Sequence, residues 1–304
     1  MDKPKPEPNP KSSPKPNPIP PDFLLYSART KRGKGIRQAF AAAEELTERI
    51  VRALGDNTVG VYLHGSLALG GFNPAASDLD LLVAVKDKPA RKQLRELTAL
   101  TLELHSRLRS GRDIEYTVVE AAELRSPACP TPVVYHYSSM HRARYAGYPD
   151  YVCGDYEDYD LAAQLTAAYE RGFALYGLPL RELYPPVPRE AYVKSILHDV
   201  SEARTEIAGN STYLILNLCR VLLFLQEGRL ASKKEGGEWG VSALPEWEGA
   251  VRAALDAYTG AADSLLPVRA SRLNDFAEDL LSRIGNARSG TDRHETAQEK
   301  REQS

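Results

Sequence analysis

Cysteine is scarce in this chain, and the three that occur, Cys129, Cys153 and Cys219, are far apart. Neither a disulfide framework nor a zinc-ligand spacing can be drawn through them, so they read as reduced, incidental thiols. A long apolar run is also missing. The longest, Tyr213 to Leu225, is broken by Asn217 and Arg220 and falls short of the roughly 20 residues that span a bilayer. No apolar signal core stands at the N-terminus, which makes the cytoplasm the expected compartment. A basic excess is absent too. The formal net charge of −2 disfavours a dedicated nucleic-acid binder or a polymerase that tracks a phosphate backbone. What remains, with 42% apolar and 26% charged residues among 304, is the balance of a globular protein of one large or two modest domains.

Proline is abundant in one place only. Nine prolines fall within the first 21 residues, a density that fixes extended geometry and removes backbone donors. Residues 1–21 therefore read as a disordered arm, and the polar stretch 289–304, without hydrophobic periodicity, as a disordered tail. Between them the rhythm changes once. Residues 22–157 carry a helical pattern from Gly35 to Leu54, then β-like runs at Thr58 to His64, Leu79 to Val85 and Ile114 to Val119. A helical stretch from Pro89 to Arg109 separates the last two. This alternation predicts an α+β unit, a small mixed sheet with packed helices. Residues 158–288 are nearly all helical in pattern, an all-α bundle domain of about 130 residues, within the usual domain size. Helices are predicted near Tyr159 to Tyr176, Glu190 to Ile207, Thr212 to Glu227, Trp247 to Tyr258 and Ser271 to Ile284.

One constellation carries chemistry: Leu63-His64-Gly65-Ser66, then, after a short spacer, Ser77-Asp78-Leu79-Asp80-Leu81-Leu82-Val83. Glycine lets the backbone approach a ligand closely, and free N–H groups with a serine hydroxyl can hold phosphate oxygens. Asp78 and Asp80 stand at i and i+2 of an apolar run, which places both carboxylates on one strand face. Such a pair repels itself unless a cation neutralises it. Hard oxygen ligands favour Mg²⁺ shared with substrate phosphates. Asp-x-Asp alone is more often structural; with the Gly-Ser turn spaced before it, the chemical reading dominates. Glu115 is an acid on a strand otherwise built of β-formers, which packing explains poorly.

These residues resemble the nucleotidyltransferase superfamily that shares the polymerase-β-like catalytic fold. The likeness narrows further. Gly70-Gly71-Phe72-Asn73-Pro74, Asp160-Leu161-Ala162, Gly172 to Gly177, Glu182 to Pro188, Asn217-Leu218-Cys219-Arg220 and Ser232-Lys233 resemble the aminoglycoside adenylyltransferases that modify streptomycin and spectinomycin. Coverage runs from about Ala41 to Ile284. The resemblance implies an enzyme with Mg²⁺ as cofactor and ATP as co-substrate, moving AMP to a hydroxyl of a cationic aminocyclitol. By position it makes Asp78 and Asp80 the metal ligands and Glu115 the general base. Gly65, Ser66 and Ser77 contact the triphosphate, and Arg220 and Lys233 close over it. Where the family has a tryptophan lining the acceptor pocket, this chain has Met140. Ser201 and Glu206 replace a Trp and an Asp tied to streptomycin, and Asn210 replaces an acidic residue. Glu206, Asn210 and Met140 are accordingly the expected acceptor contacts, and these departures turn the expectation from streptomycin towards spectinomycin.

Several residues keep two readings from sequence alone. Arg220 lies in an apolar helix and needs a partner, a phosphate or a structural carboxylate. Asp155 to Asp160 either draws a cationic acceptor or charges a helix N-terminus. His64, His136 and His141 match no zinc spacing, although His64 adjoins the nucleotide turn. Two other functions stay in view: transfer to a different acceptor, such as a protein side chain, and a catalytically silent nucleotide-binding regulator.

Overall fold

The computed structural model describes residues 16–18, 33–108, 113–260 and 269–302, with side chains as far as 289. The first strand, β1, spans Thr58–Leu63 and follows α1, Gly33–Leu54, whose apolar stripe from Ile36 to Leu54 is buried. A single helical turn, α2, Gly65–Ala68, leaves β1. Strand β2 is Leu79–Val85, α3 is Arg91–Arg107 and β3 is Ile114–Glu120. Short pieces follow: β4 Thr131–Val133, β5 Tyr135–Tyr137, α4 Ser139–Gly147 and β6 Tyr156–Asp158.

Next come α5, Leu161–Arg171, and β7, Phe173–Tyr176. The main sheet has the order β5-β3-β2-β1-β7. β2 and β3 are parallel, and every other pairing in it is antiparallel. Both faces of the sheet are buried. Leu81, Val83, Tyr116 and Val118 pack with α1 and α3 on one side; Tyr62, Leu82, Ala84 and Val119 pack with Leu161, Leu165 and Ala168 of α5 on the other. A strand buried on both faces reads as a continuous apolar run, which is how β2 reads after Asp80.

The structure departs from the sequence expectation at β7. A helix was predicted over Tyr159 to Tyr176, but it ends at Arg171, and the next residues hydrogen-bond to β1 as the sheet's last strand. Gly172 sits so close to Ala168 that an added Cβ would lie 2.4 Å from its carbonyl oxygen, so a glycine is what allows the chain to turn there. The sheet therefore uses chain beyond the boundary drawn at residue 158. Its outer edge meets a fragment of the proline-rich arm. Asn17 donates its backbone N–H to the Leu175 carbonyl at 2.6 Å and its amide to Ala174 and Gly177 carbonyls at 2.9 and 2.8 Å. The rest of the arm lies outside the described residues.

The remaining helices are α6 Leu180–Leu183, α7 Arg189–Asp199, α8 Ala203–Glu206, α9 Ser211–Glu227, α10 Lys233–Ala243, α11 Glu248–Thr259 and α12 Ala270–Glu302. They enclose a second core around Leu216, Leu222, Val251 and Phe276. The helix expected over Glu190 to Ile207 breaks at Val200. The tail expected to lack structure continues α12 as helical backbone through Glu302; its Glu, Arg, Gln, Lys and Ala are strong helix formers without needing an apolar stripe. No helix among the described residues is long and apolar enough to cross a membrane.

Helix α10 was not expected, because Gly236, Gly237 and Gly240 depress local propensity. The packing explains them. A Cβ on Gly236 would stand 2.6 Å from Arg220 Cγ and 3.1 Å from the Arg220 backbone nitrogen. On Gly237 it would meet Leu216 and on Gly240 Cys219, each at 2.7 Å. Three glycines thus let α10 lie directly against α9, and tertiary contact overrides propensity. We predict that Gly236→Ala forces the pair apart and destabilises the protein by about 1–3 kcal/mol, read as a lowered melting temperature.

Candidate active site

Glycine also decides where the acidic residues go. Gly65 has φ +63°, and a Cβ there would fall 1.8 Å from Asp80 Oδ2. Only glycine leaves that space and accepts that conformation. The Asp80 carboxylate settles over the turn and accepts the Ser66 backbone N–H, while the His64 N–H bonds the Asp80 carbonyl at 3.1 Å. The parallel register of β2 and β3 pairs Asp80 with Glu115 directly, so the two carboxylates are neighbours on one face. Asp78 precedes the strand on the same side.

Crowding raises all three. Burial, then Glu115 and Asp78, lift Asp80 well above the ordinary carboxylate value. Burial and Asp113 lift Asp78, with Lys233 opposing. Burial and Asp78 push Glu115 up to about 7, again against Lys233. Facing these groups is a cleft of about 350 Å³ whose walls come from both halves of the chain. Its phosphate-binding equipment is legible. The Ser66 hydroxyl is buried with no hydrogen-bond partner among the described residues. Ser77 lines the cleft while its hydroxyl accepts the Asn73 N–H at 2.9 Å, fixing the loop before Asp78. Arg220 and Lys233 stand across from the carboxylates. Burial, then Arg220, lower the Lys233 pKa, with Asp199, Asp80 and Asp78 holding it up. Burial takes His64 down to about 4 against a hydrogen bond with the Leu81 backbone, so its ring is neutral at physiological pH.

Two contacts tie the halves of the chain together. Arg171, at the end of α5, donates to both Glu235 oxygens at 3.0 and 2.9 Å and to the Leu69 carbonyl at 2.8 Å. Glu235 in turn completes a capping box with Ser232, which opens α10 and sets Lys233 as its first residue. Asn73 reaches the Tyr258 carbonyl at 3.0 Å. The two halves are thereby clasped at Leu69 and Asn73, on either side of the glycine-rich loop.

The expected acceptor residues are not brought together. Met140 is 87% exposed on α4, and Met140, Glu206 and Asn210 are all absent from the cleft lining. Glu206 and Asn210 are exposed, and Asn210 occupies the N-cap position of α9 without a side-chain capping bond. The helix expected to run through Glu206 ends at Asp199, and Glu206 falls instead at the end of the separate short helix α8. The cleft wall is supplied instead by Asp199, the last residue of α7, and by Asp160, Ser195 and Tyr213. Tyr213 donates to Asp199 at 2.6 Å, and its ring lies 4.3 Å beneath the Lys233 ammonium. Asp160 stands at the N-cap of α5 with no side-chain capping bond. Solvent reaches the residue, yet enclosure of its carboxyl, then Asp199 and Asp158, push its pKa up to about 6, with His198 opposing. The stretch before it is divided: Asp155 pairs with Lys88 at 2.6 Å, and Tyr156–Asp158 is strand β6. Arg220 meets neither alternative named for it among the described residues; its guanidinium donates to the Asn217 amide oxygen at 2.8 Å.

Comparison with known proteins places this arrangement. A family model described as a nucleotidyltransferase domain matches residues 44–133, and one described as the C-terminal domain of aminoglycoside adenylyltransferase matches residues 182–283. The two halves of the chain are thus similar, in order, to a nucleotidyltransferase domain and to the C-terminal domain of the aminoglycoside adenylyltransferases. It is 27% identical over 258 residues to an aminoglycoside (3'') (9) adenylyltransferase of Escherichia coli, covering 82% of this chain and 96% of that one. Similarity to spectinomycin 9-adenylyltransferase of Enterococcus faecalis is 26% over 189 residues, 60% of this chain and 72% of the other. A crystal structure of the Enterococcus spectinomycin adenyltransferase, solved with ATP and spectinomycin, superposes with a TM-score of 0.68 at 21% identity, over 81% of this chain and 99% of that one. The shared fold is the two-part architecture described above.

In this protein the three carboxylates cost stability when nothing neutralises them. Glu115 titrates near 7 in the folded chain against an ordinary 4.5. The folded state therefore binds the extra proton between those values, and stability rises as pH falls through 7 towards 4.5. Glu115→Gln is predicted to raise the melting temperature of the metal-free protein at pH 8 by a few degrees and to flatten its rise towards pH 6. Gly65→Ala, by contrast, displaces the Asp80 carboxylate and is predicted to remove turnover.

Proposed function

We propose that this chain is a magnesium-dependent O-adenylyltransferase that moves AMP from ATP to a hydroxyl of an aminocyclitol such as spectinomycin, releasing pyrophosphate. The observation that carries the reading is the pairing of Asp80 with Glu115 in register beside Asp78, with Lys233 and Arg220 on the opposite wall of one cleft. Among the described residues no three His, Cys, Asp or Glu side chains form a metal site alone. Asp78 and Asp80 suit a Mg²⁺ ion whose remaining ligands come from phosphate and water, the usual pattern for that ion. Two crowded carboxylates with raised pKa values are the donor set such a cation relieves. When bound, it supplies charge neutralisation at the phosphates.

The chain's own groups account for the other steps. Ser66 and the turn at Gly65 receive phosphate oxygens; Lys233 and Arg220 neutralise the triphosphate and the departing pyrophosphate. Glu115, tuned to about 7, is suited to take the acceptor hydroxyl proton as that oxygen bonds to the α-phosphorus and the bond to the β-phosphate bridge breaks. Asp160 and Asp199 place negative charge on the acceptor side, which suits a cationic substrate.

The direct test is incubation with ATP, Mg²⁺ and spectinomycin or streptomycin, reading pyrophosphate release and product mass. A gain of one adenylyl group is expected on spectinomycin. Asp80→Asn is predicted to abolish turnover with the melting temperature preserved; surviving turnover would remove Asp80 from the metal site. Asp160→Asn is predicted to raise KM for the cationic acceptor roughly fivefold, about 1 kcal/mol of ion pairing at a partly exposed position, with KM for ATP unchanged. Because Asp160 protonates near 6, acceptor KM should climb as pH falls below that value in the parent enzyme and stay flatter in the variant.

A further inference from the structure

Helix α9 is apolar on nearly every side, yet it buries one amide. Asn217 is 1% exposed and lies one turn before Arg220 on the same face. Its Oδ1 accepts from Arg220 Nη1 at 2.8 Å. Guanidinium nitrogens are donors only, so the amide cannot turn its NH₂ towards them. The oxygen is fixed on Arg220, and Nδ2 is forced to the other side, where it is buried without a hydrogen-bond partner among the described residues. Asn217 also lines a cavity of about 10 Å³, together with Tyr192, Asp199 and Arg220. That is the volume of about one water, and the polar groups around it can supply the two to four partners a buried water requires.

The choice of an amide has an electrostatic meaning. A carboxylate at 217 would hold the guanidinium equally well and cancel its charge. The amide oxygen fixes the same rotamer and leaves the full positive charge facing the cleft. None of the ion pairs among the described residues includes Arg220. Gly236 packs on the arginine stem from the other side, so the side chain is confined along its length and at its head. We propose that Asn217 is the positioning residue of Arg220, aiming an uncompensated guanidinium at the nucleotide phosphates, and that one buried water joins its Nδ2 to Asp199. Asp199 already accepts from Tyr213, whose ring carries Lys233. Asn217, the water, Asp199 and Tyr213 thus form a continuous support behind both cations of the phosphate wall. The inference rests on the reading that Arg220 meets the triphosphate.

The test is calorimetric titration of the full chain with Mg²⁺-ATP, each variant checked by thermal melting. Asn217→Leu and Asn217→Asp are both expected to weaken ATP binding about tenfold, the first by releasing the guanidinium and the second by neutralising it. In an Arg220→Ala background neither substitution should add a further loss, because the positioned group is gone. Losses that add in that background, or an Asn217→Asp protein that folds and binds ATP as the parent does, would overturn the proposal. Should Asn217→Leu not fold, Asn217→Asp decides alone. If Arg220→Ala itself leaves ATP affinity unchanged, the phosphate reading of Arg220 fails, whereas an effect of Arg220→Ala without one of Asn217 removes only the positioning role. In a high-resolution crystal structure the water is expected between Asn217 Nδ2 and Asp199, and clear empty density there removes it.

Discussion

Three partly buried carboxylates held side by side are the constraint around which this molecule is arranged. Their mutual repulsion is written into the raised pKa values of Asp78, Asp80 and Glu115. The sheet tolerates that cost because the apolar faces of β2 and β3 are buried on both sides. A rigid, fully paired strand register holds the groups together, and a missing side chain at Gly65 gives Asp80 its seat. The opposing charges arrive from the second domain, not from the sheet. A site that is electrostatically unfinished in one domain and completed by another has a physical reason to use two.

The second domain delivers those charges through a close helix pair. Arg220 is in the middle of α9 and Lys233 at the start of α10. The three glycines that let these helices touch bring the two cations to one wall. The Arg171 clasp to Glu235 and Leu69 then ties that wall to the turn that carries Gly65 and Ser66. Packing, capping and ion pairing act on the same few residues, and this is how a handful of small side chains positions the charged ones.

Much of this was readable before any coordinates. The strand Leu79–Val85 follows from its apolar run, and the Gly-Ser and Asp-x-Asp spacing points to phosphate and metal chemistry. Glu115 follows from an acid out of place among β-formers. The parts that were not readable share a cause: they depend on contacts distant in sequence. β7 is only four residues long and becomes a strand by pairing with β1. α10 is hidden by glycines whose purpose is visible only against α9. The resemblance assigns Glu206, Asn210 and Met140 to the acceptor, but Glu206 and Asn210 lie exposed beyond the helix break at Val200, Met140 lies exposed on α4, and Asp199 and Asp160 line the cleft. Legibility was highest where the chemistry dictates residue type and lowest where a neighbouring helix does.

The contact made by Asn17 has a bearing on colloidal behaviour. An outer strand offers a row of carbonyl and amide groups that another chain can extend, which is the common route from a soluble sheet to an aggregate. Here three carbonyls near the end of that row, on Ala174, Leu175 and Gly177, are already taken by one asparagine of the same polypeptide. The residues on either side of it are prolines, which cannot donate to a further strand. At this edge the sheet is thus met by its own chain with a segment that is unable to propagate it.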